Sequence, residues 1–74
     1  MSKNAKSTTQ IVFRFIKKYT EVHTHPPTIR EIAEGCFIST SAVARHLAYL
    51  EGEKKLIREP GRARGITLIV PEDD

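Results

Sequence analysis

Two consecutive prolines, Pro26 and Pro27 in the stretch "HTHPPT", divide this chain more firmly than any other feature of it. Each proline fixes its own backbone, lacks an N–H, and biases the residue before it away from helix. The apolar runs on either side must therefore be separate elements joined by a rigid connector. Upstream, Ile11, Val12, Phe15, Ile16 and Tyr19 recur at helical spacing until about Glu21. Ser7, followed three residues later by Gln10, matches a capping box, so the first helix is expected from Ser7. Downstream, Thr28 and Glu31 make a second capping box, and Ile29, Ile32 and Ala33 give a short helix that Gly35 can end.

After that glycine, Phe37 and Ile38 of "GCFI" are expected to plug the core, and Ser39 is the cap of a third helix running to about Glu53. Within it Val43, Leu47 and Leu50 share one face. Two β-prone runs follow, "LIRE" and "GITLIV", separated by the turn residues "PGRAR". The fold class is mainly α with a small β-hairpin. Helices two and three form a helix-turn-helix and the hairpin is its wing, so the architecture is a winged helix-turn-helix with three helices plus a wing. Residues 1–6 read as a flexible N-terminus, 7–70 as one domain and 71–74 as an acidic tail. At 74 residues one modest core is all the chain can bury. No apolar run approaches the length of a membrane span, and "MSKNAK" lacks the apolar block of a signal peptide, so the expected setting is cytoplasmic with no membrane partner.

The side of the third helix opposite its apolar face is unusual. Surface helices ordinarily cover their wet face with long charged side chains, yet here it reads Ser41, Ala44, Arg45 and Ala48. Small residues let a helix backbone approach closely. A helix that enters the DNA major groove, about 12 Å wide, gains from small residues, one long donor for base edges and hydroxyls near its N-terminus. The free N–H groups around Thr40 and Ser41 also suit a phosphate. A solvated face that is merely low in charge, with hydroxyls used only for capping, is the plainer reading of the same residues.

Charge distribution favours the first reading. The net charge is +3, and between Ser39 and Gly65 six basic residues (Arg45, Lys54, Lys55, Arg58, Arg62, Arg64) face three acids (Glu51, Glu53, Glu59). The remaining late acids, Glu72, Asp73 and Asp74, lie beyond the last apolar run. A basic hairpin tip carrying Arg62 and Arg64 can reach phosphates or the adjacent minor groove, although arginines in an exposed turn are common. Lys54 and Lys55 are explained well enough by the helix dipole. Tyr49 lies at the rim of the proposed face, where phosphate contact and simple packing are equally good readings.

Enzymatic chemistry finds little support. Cys36, His23, His25 and His46 are the candidates for a metal or nucleophile, and their spacing matches no zinc motif. A single cysteine excludes an internal disulfide, and Cys36 sits in an apolar stretch suited to an inert role. The expectation is a non-enzymatic chain with no metal and no cofactor.

The runs "PPTIREIAEGCFISTSAVARHLAYLE" and "PGRARGITL" together resemble the DNA-binding domain of LexA-type repressors, and the resemblance covers the chain from Ser7 to Val70. It implies a winged helix-turn-helix whose third helix reads the major groove. Carried over by position, the readers fall on Ser39, Ser41, Ala42, Ala44 and Arg45, with the wing at Arg62 and Arg64 near the backbone; Thr28, Thr40 and Tyr49 complete the candidate DNA-binding set. The family usually carries acidic residues where this helix has Ala44 and Arg45, which implies a different operator. The link between helices two and three is one residue shorter, and Lys54 stands where a helix-ending glycine is expected, with Gly52 earlier. LexA-type repressors also have a C-terminal self-cleaving domain that supplies dimerisation, and nothing in these residues corresponds to it.

The expected function is sequence-specific binding of double-stranded DNA by a transcriptional repressor or regulator, with a possible homodimer on a palindromic site. A winged-helix module for protein–protein interaction, its third helix packed on a partner and its wing merely solvated, is the alternative. RNA binding fits less well, because the helix lacks aromatic platforms for stacking bases.

Overall fold

The computed structural model describes the backbone of residues 4–69 and the side chains from Thr8 onward. Three helices, α1 (Asn4–His23), α2 (Ile29–Cys36) and α3 (Thr40–Gly52), precede an antiparallel hairpin of β1 (Leu56–Arg58) and β2 (Ile66–Leu68). The architecture is the winged helix-turn-helix expected from the sequence. Val70 and the acidic tail 71–74 lie outside the described residues.

Helix α1 begins at Asn4, a turn before the expected cap at Ser7. Ala5 and Lys6 both favour helix, and nothing between Asn4 and Ser7 opposes its extension. Its buried stripe is centred on Val12 and Ile16, with Phe13 and Phe15 packed alongside. Ile11, placed on that stripe by spacing, is instead 52% exposed. Ile32 and Ala33 of α2 and Val43, Leu47 and Leu50 of α3 close the helical core, with Leu56 and Ile66 docking the hairpin against it. Pro27 is fully buried as well. The rigid connector is thus also a core residue, which fixes where α2 starts.

Thr28 caps α2 as expected: its Oγ1 accepts from the Glu31 N–H at 3.1 Å, and its own N–H donates to Glu31 Oε1 at 2.9 Å. The other end of α2 differs from expectation. Gly35 does not end the helix, which continues to Cys36 and turns at Phe37 in the left-handed region (φ 59°). The glycine serves close approach instead. A Cβ at position 35 would stand 2.2 Å from Phe15 Cε2, so any side chain there would collide with a ring of α1.

This turn also moves Phe37 out of the core. The Phe37 and Ile38 N–H groups both donate to the Ala33 carbonyl, the pattern of a left-handed cap, and the chain swings so that Cys36 and Ile38 pack inward. The Phe37 ring is left 91% exposed. Ile38 plugs the core as expected; Phe37 does not.

Ser39 caps α3 by accepting from the Ala42 N–H at 3.1 Å. Beyond its C-terminus Lys54 adopts φ 62°, and Thr24, just after α1, adopts φ 63°. All three helices therefore turn on a non-glycine residue in the conformation that glycine ordinarily supplies. Gly52 is not used this way. In the hairpin, Leu56 pairs with Leu68, Ile57 with Thr67 and Arg58 with Ile66. Glu59 N–H donates to the Gly65 carbonyl at 2.7 Å, closing a tip in which Gly61 supplies φ 87°.

Candidate nucleic-acid interface

Helix α3 has two sharply different faces. Val43 and Leu47 have no exposed surface and Leu50 almost none, which fixes the rotation of the helix. Thr40, Ser41, Arg45, Ala48 and Tyr49 then fall on the exposed side, with Ala42 and Ala44 half-buried at its margin. Of the predicted outward face Ser41, Arg45 and Ala48 are exposed, while Ala44 is half-buried. Arg45 makes no hydrogen bond or ion pair among the described residues, so its five donors are available. The Ser39 hydroxyl is engaged as an acceptor by the cap, but its own hydrogen remains to be donated. The N–H groups of Thr40 and Ser41, in the first turn, have no partner within the helix.

Tyr49 is half exposed at the rim and borders a small cleft of about 150 Å³ with Thr9, Gln10, Leu50 and Glu53. Below it, α3 is tied to α1 by a polar contact, Thr9 Oγ1 to His46 Nδ1 at 2.9 Å, with Thr9 only 7% exposed. This bond holds α3 against the bundle from a side the apolar residues do not cover.

The two wing arginines, alike in sequence, have different surroundings. Arg62 lies across the tip in a local pair with Glu59 at 3.1 Å, both side chains more than half exposed. Such a pair is weak and easily exchanged. Arg64 instead reaches back across the molecule. Its Nη1 donates to the Pro26 carbonyl and to Glu31 Oε1, both at 2.8 Å, and its Nη2 donates to Glu31 Oε2 at 3.0 Å. A guanidinium gripping a carboxylate through two parallel bonds has a fixed orientation. Arg64 is thus paired within the protein in this conformation, with three of its five donors engaged by Pro26 and Glu31 before any DNA contact.

Glu31 is the hub of this clasp, since the same carboxylate closes the capping box with Thr28. The Arg64 hydrogen bonds, followed by the Thr28 backbone N–H, hold its carboxyl well below the usual carboxylate range, at about 2. Arg64 is raised in turn, chiefly by the same hydrogen bonds. Sequence reasoning found Glu31 as a capping residue but not as the wing's anchor. The partners are 33 positions apart, and no local pattern connects them. Thr28, placed in the DNA-binding set, sits at the N-terminus of α2 beside this clasp with its hydroxyl engaged by the cap.

The four residues considered for metal chemistry are not brought together. His23 stacks on Tyr19 at 4.0 Å between ring centroids, His25 lies 5.8 Å from His23, and His46 bonds Thr9. Cys36 is half-buried, and burial pushes its thiol pKa up. Among the described residues no group of three or more His, Cys, Asp or Glu is disposed to hold a metal ion, and no helix is long and apolar enough to cross a membrane.

The model of the family described as "LexA DNA binding domain" matches residues 4–65. The chain is 47% identical over 58 residues to LexA repressor 2 of Geobacter sulfurreducens, covering 77% of this chain and 29% of that protein. It is 42% identical over 59 residues to the LexA repressor of Geobacter metallireducens, covering 78% and 29%. With the LexA repressor of Listeria welshimeri it shares 38% identity over 66 residues, covering 88% and 32%. The chain spans less than a third of the length of these relatives. The matched residues take in all three helices, β1 and the hairpin tip, stopping just before β2, and the chain belongs to the LexA DNA binding domain family.

Proposed function

We propose that this chain binds a specific sequence of double-stranded DNA and represses transcription from it, acting in the cytoplasm. Family membership supports the class of function, and one observation carries the mechanism: Arg45, a long cation unpaired among the described residues, stands between the small side chains Ser41, Ala44 and Ala48 of α3. Ser41, Ala42, Ala44 and Ala48 let the helix backbone approach the floor of the major groove. Arg45 then donates to a base edge, as arginine does to guanine O6 and N7. Ser39, Thr40 and Ser41 meet the backbone or bases at the N-terminal end, and Thr28, Tyr49 and Arg62 hold phosphates at the flanks. Arg64 acts through Glu31 and Pro26, setting the wing's position. Two copies on a palindromic site supply the base contacts that one small domain lacks.

Selection of sites from a random duplex pool, followed by titration of wild type and Arg45→Ala on selected and random DNA, tests this reading. Arg45→Ala is expected to lose about 1 to 3 kcal/mol on the selected site, little on random duplex, and to relax one base position. Equal weakening on both DNAs would make Arg45 a phosphate contact and remove the proposed base reader. A selected site without a repeated half-site would count against pairing.

A further inference from the structure

We propose that Phe37 is a DNA-contacting residue, its ring packing against the apolar part of the duplex, a thymine methyl or a deoxyribose face, where the α2–α3 turn meets the edge of the major groove. The inference rests on the DNA-binding reading above and extends it to a residue outside α3.

Two features of Phe37 oppose folding economy together. Its ring is 91% exposed, and its backbone holds φ 59°, a conformation that disfavours bulky side chains. A left-handed helix cap is the position at which glycine is ordinarily selected, and both cap hydrogen bonds here come from the backbone, so glycine would preserve them. The phenyl group contributes almost no burial to the fold. Strain kept together with an exposed aromatic points to a use outside the domain.

Position identifies the occupant. Phe37 lies two residues before the Ser39 cap, so its Cα is within about 7.6 Å of the Cα of Ser39. That end of a recognition helix carries the N-terminal residues that contact base edges. A duplex close enough for the Thr40 and Ser41 N–H groups therefore passes beside this turn. From Cys36 to Ala44 the chain has no charged side chain, so an apolar contact continues the proposed interface without placing an acid near phosphate.

Phe37→Gly separates the roles because it is expected to fold better and bind worse. Its melting temperature should rise by several degrees, since in a domain this small even slight relief of backbone strain shifts melting measurably. On the selected duplex its affinity should fall roughly tenfold, while the slope of log affinity against log salt stays as in wild type, because an apolar contact releases no counterion. Phe37→Asn, which also tolerates the turn, should behave likewise, and Phe37→Leu should keep part of the affinity. Replacing thymine by deoxyuridine across the selected site distinguishes the two apolar sources: loss in wild type but not in Phe37→Gly assigns the methyl, and no change in either assigns the sugar. Unchanged affinity in Phe37→Gly overturns the proposal. A loss confined to the second of two cooperative binding steps also overturns it, assigning the ring to a contact between copies. If wild type itself binds no duplex, the DNA-binding reading fails first and this inference falls with it, an outcome distinct from a failure of Phe37 alone.

Discussion

The wing provides the most discriminating test of how this domain divides support from recognition. Arg62 and Arg64 are two residues apart, and a sequence-based view gives both the same role. In the structure Arg62 shares only an exposed pair with Glu59, whereas Arg64 has three hydrogen bonds between 2.8 and 3.0 Å to Glu31 and Pro26. With its pKa at about 2, Glu31 is ionised throughout any practical binding assay, so the clasp stays charged on both sides. Each phosphate neutralised by a cation releases counterions and adds about 0.9 to the slope of log affinity against log salt. Arg62→Ala should therefore weaken selected and random duplex by a similar factor and make the slope shallower by about 0.9. Arg64→Ala should leave the slope within error of wild type and weaken the selected site more than random DNA, because the loss is in wing orientation. Glu31→Gln should reproduce the effect of Arg64→Ala on specificity, and combining the two should add little further. Titrations by fluorescence anisotropy at several salt concentrations measure all of these. A slope shallower by about 0.9 in Arg64→Ala would show that the clasp opens on DNA and that Arg64 binds phosphate after all.

Three further outcomes follow from the packing and the charges. Leu47 is fully buried between α3 and its neighbours, so Leu47→Ala should lose about 2 to 5 kcal/mol in urea melting followed by circular dichroism, and a loss under about 0.5 kcal/mol would refute the assigned rotation of α3. Lys54→Gly should raise stability by about 0.5 to 1 kcal/mol, the relief at φ 62° being partly offset by the entropy of an added glycine; a decrease would mean the lysine side chain holds the turn. Because the Glu31 carboxyl is depressed in the folded chain, to about 2 against about 4.3 when unfolded, its contribution is complete above pH 5 or so and is lost as pH falls towards 2. The stability difference between wild type and Glu31→Gln should accordingly be flat at neutral pH and shrink below about 4.5, and a difference constant down to pH 2.5 would contradict the depressed value.

Local chemistry made most of the fold legible in the sequence. The proline pair, the Thr28–Glu31 box and the Ser39 cap each act within four residues, and all three appear where the pattern put them. The rotation of α3 was legible for the same reason, since a 13-residue helix with three apolar positions on one face has a single sensible way to pack. Errors came where a tertiary neighbour decides the outcome. Gly35 looks like a helix terminator until the Phe15 ring beside it is known, and Phe37 looks like core because its neighbours on both sides are. Nothing local to Arg64 tells it from Arg62, because what differs is a carboxylate on α2.

This division has a consequence for how such a domain changes its target. The hairpin is held at two points: Leu56 and Ile66 sink into the core at its base, and Arg64 grips Glu31 and the Pro26 carbonyl from its tip. Both attachments use residues that face inward or sideways, and α3 is seated by Val43, Leu47, Leu50 and the Thr9–His46 bond. None of these groups lies on the outward face of α3. Substitutions at Ser41, Ala44 or Arg45 can therefore alter base recognition without disturbing either the seating of the helix or the angle of the wing, whereas substitutions at Glu31 or Arg64 alter the wing while touching no base reader. Exchanging Ala44 and Arg45 together for acidic residues should change the unfolding free energy from urea melting by less than about 1 kcal/mol, since Arg45 is exposed and Ala44 lies half-buried outside the core cluster. Its selected site should differ at the bases beneath those two positions alone, with acids accepting from cytosine N4 in place of arginine donating to guanine. Changes spread over the whole site would mean that reading and support are coupled, and that the clasp and the core do not fix α3 independently of its outward face.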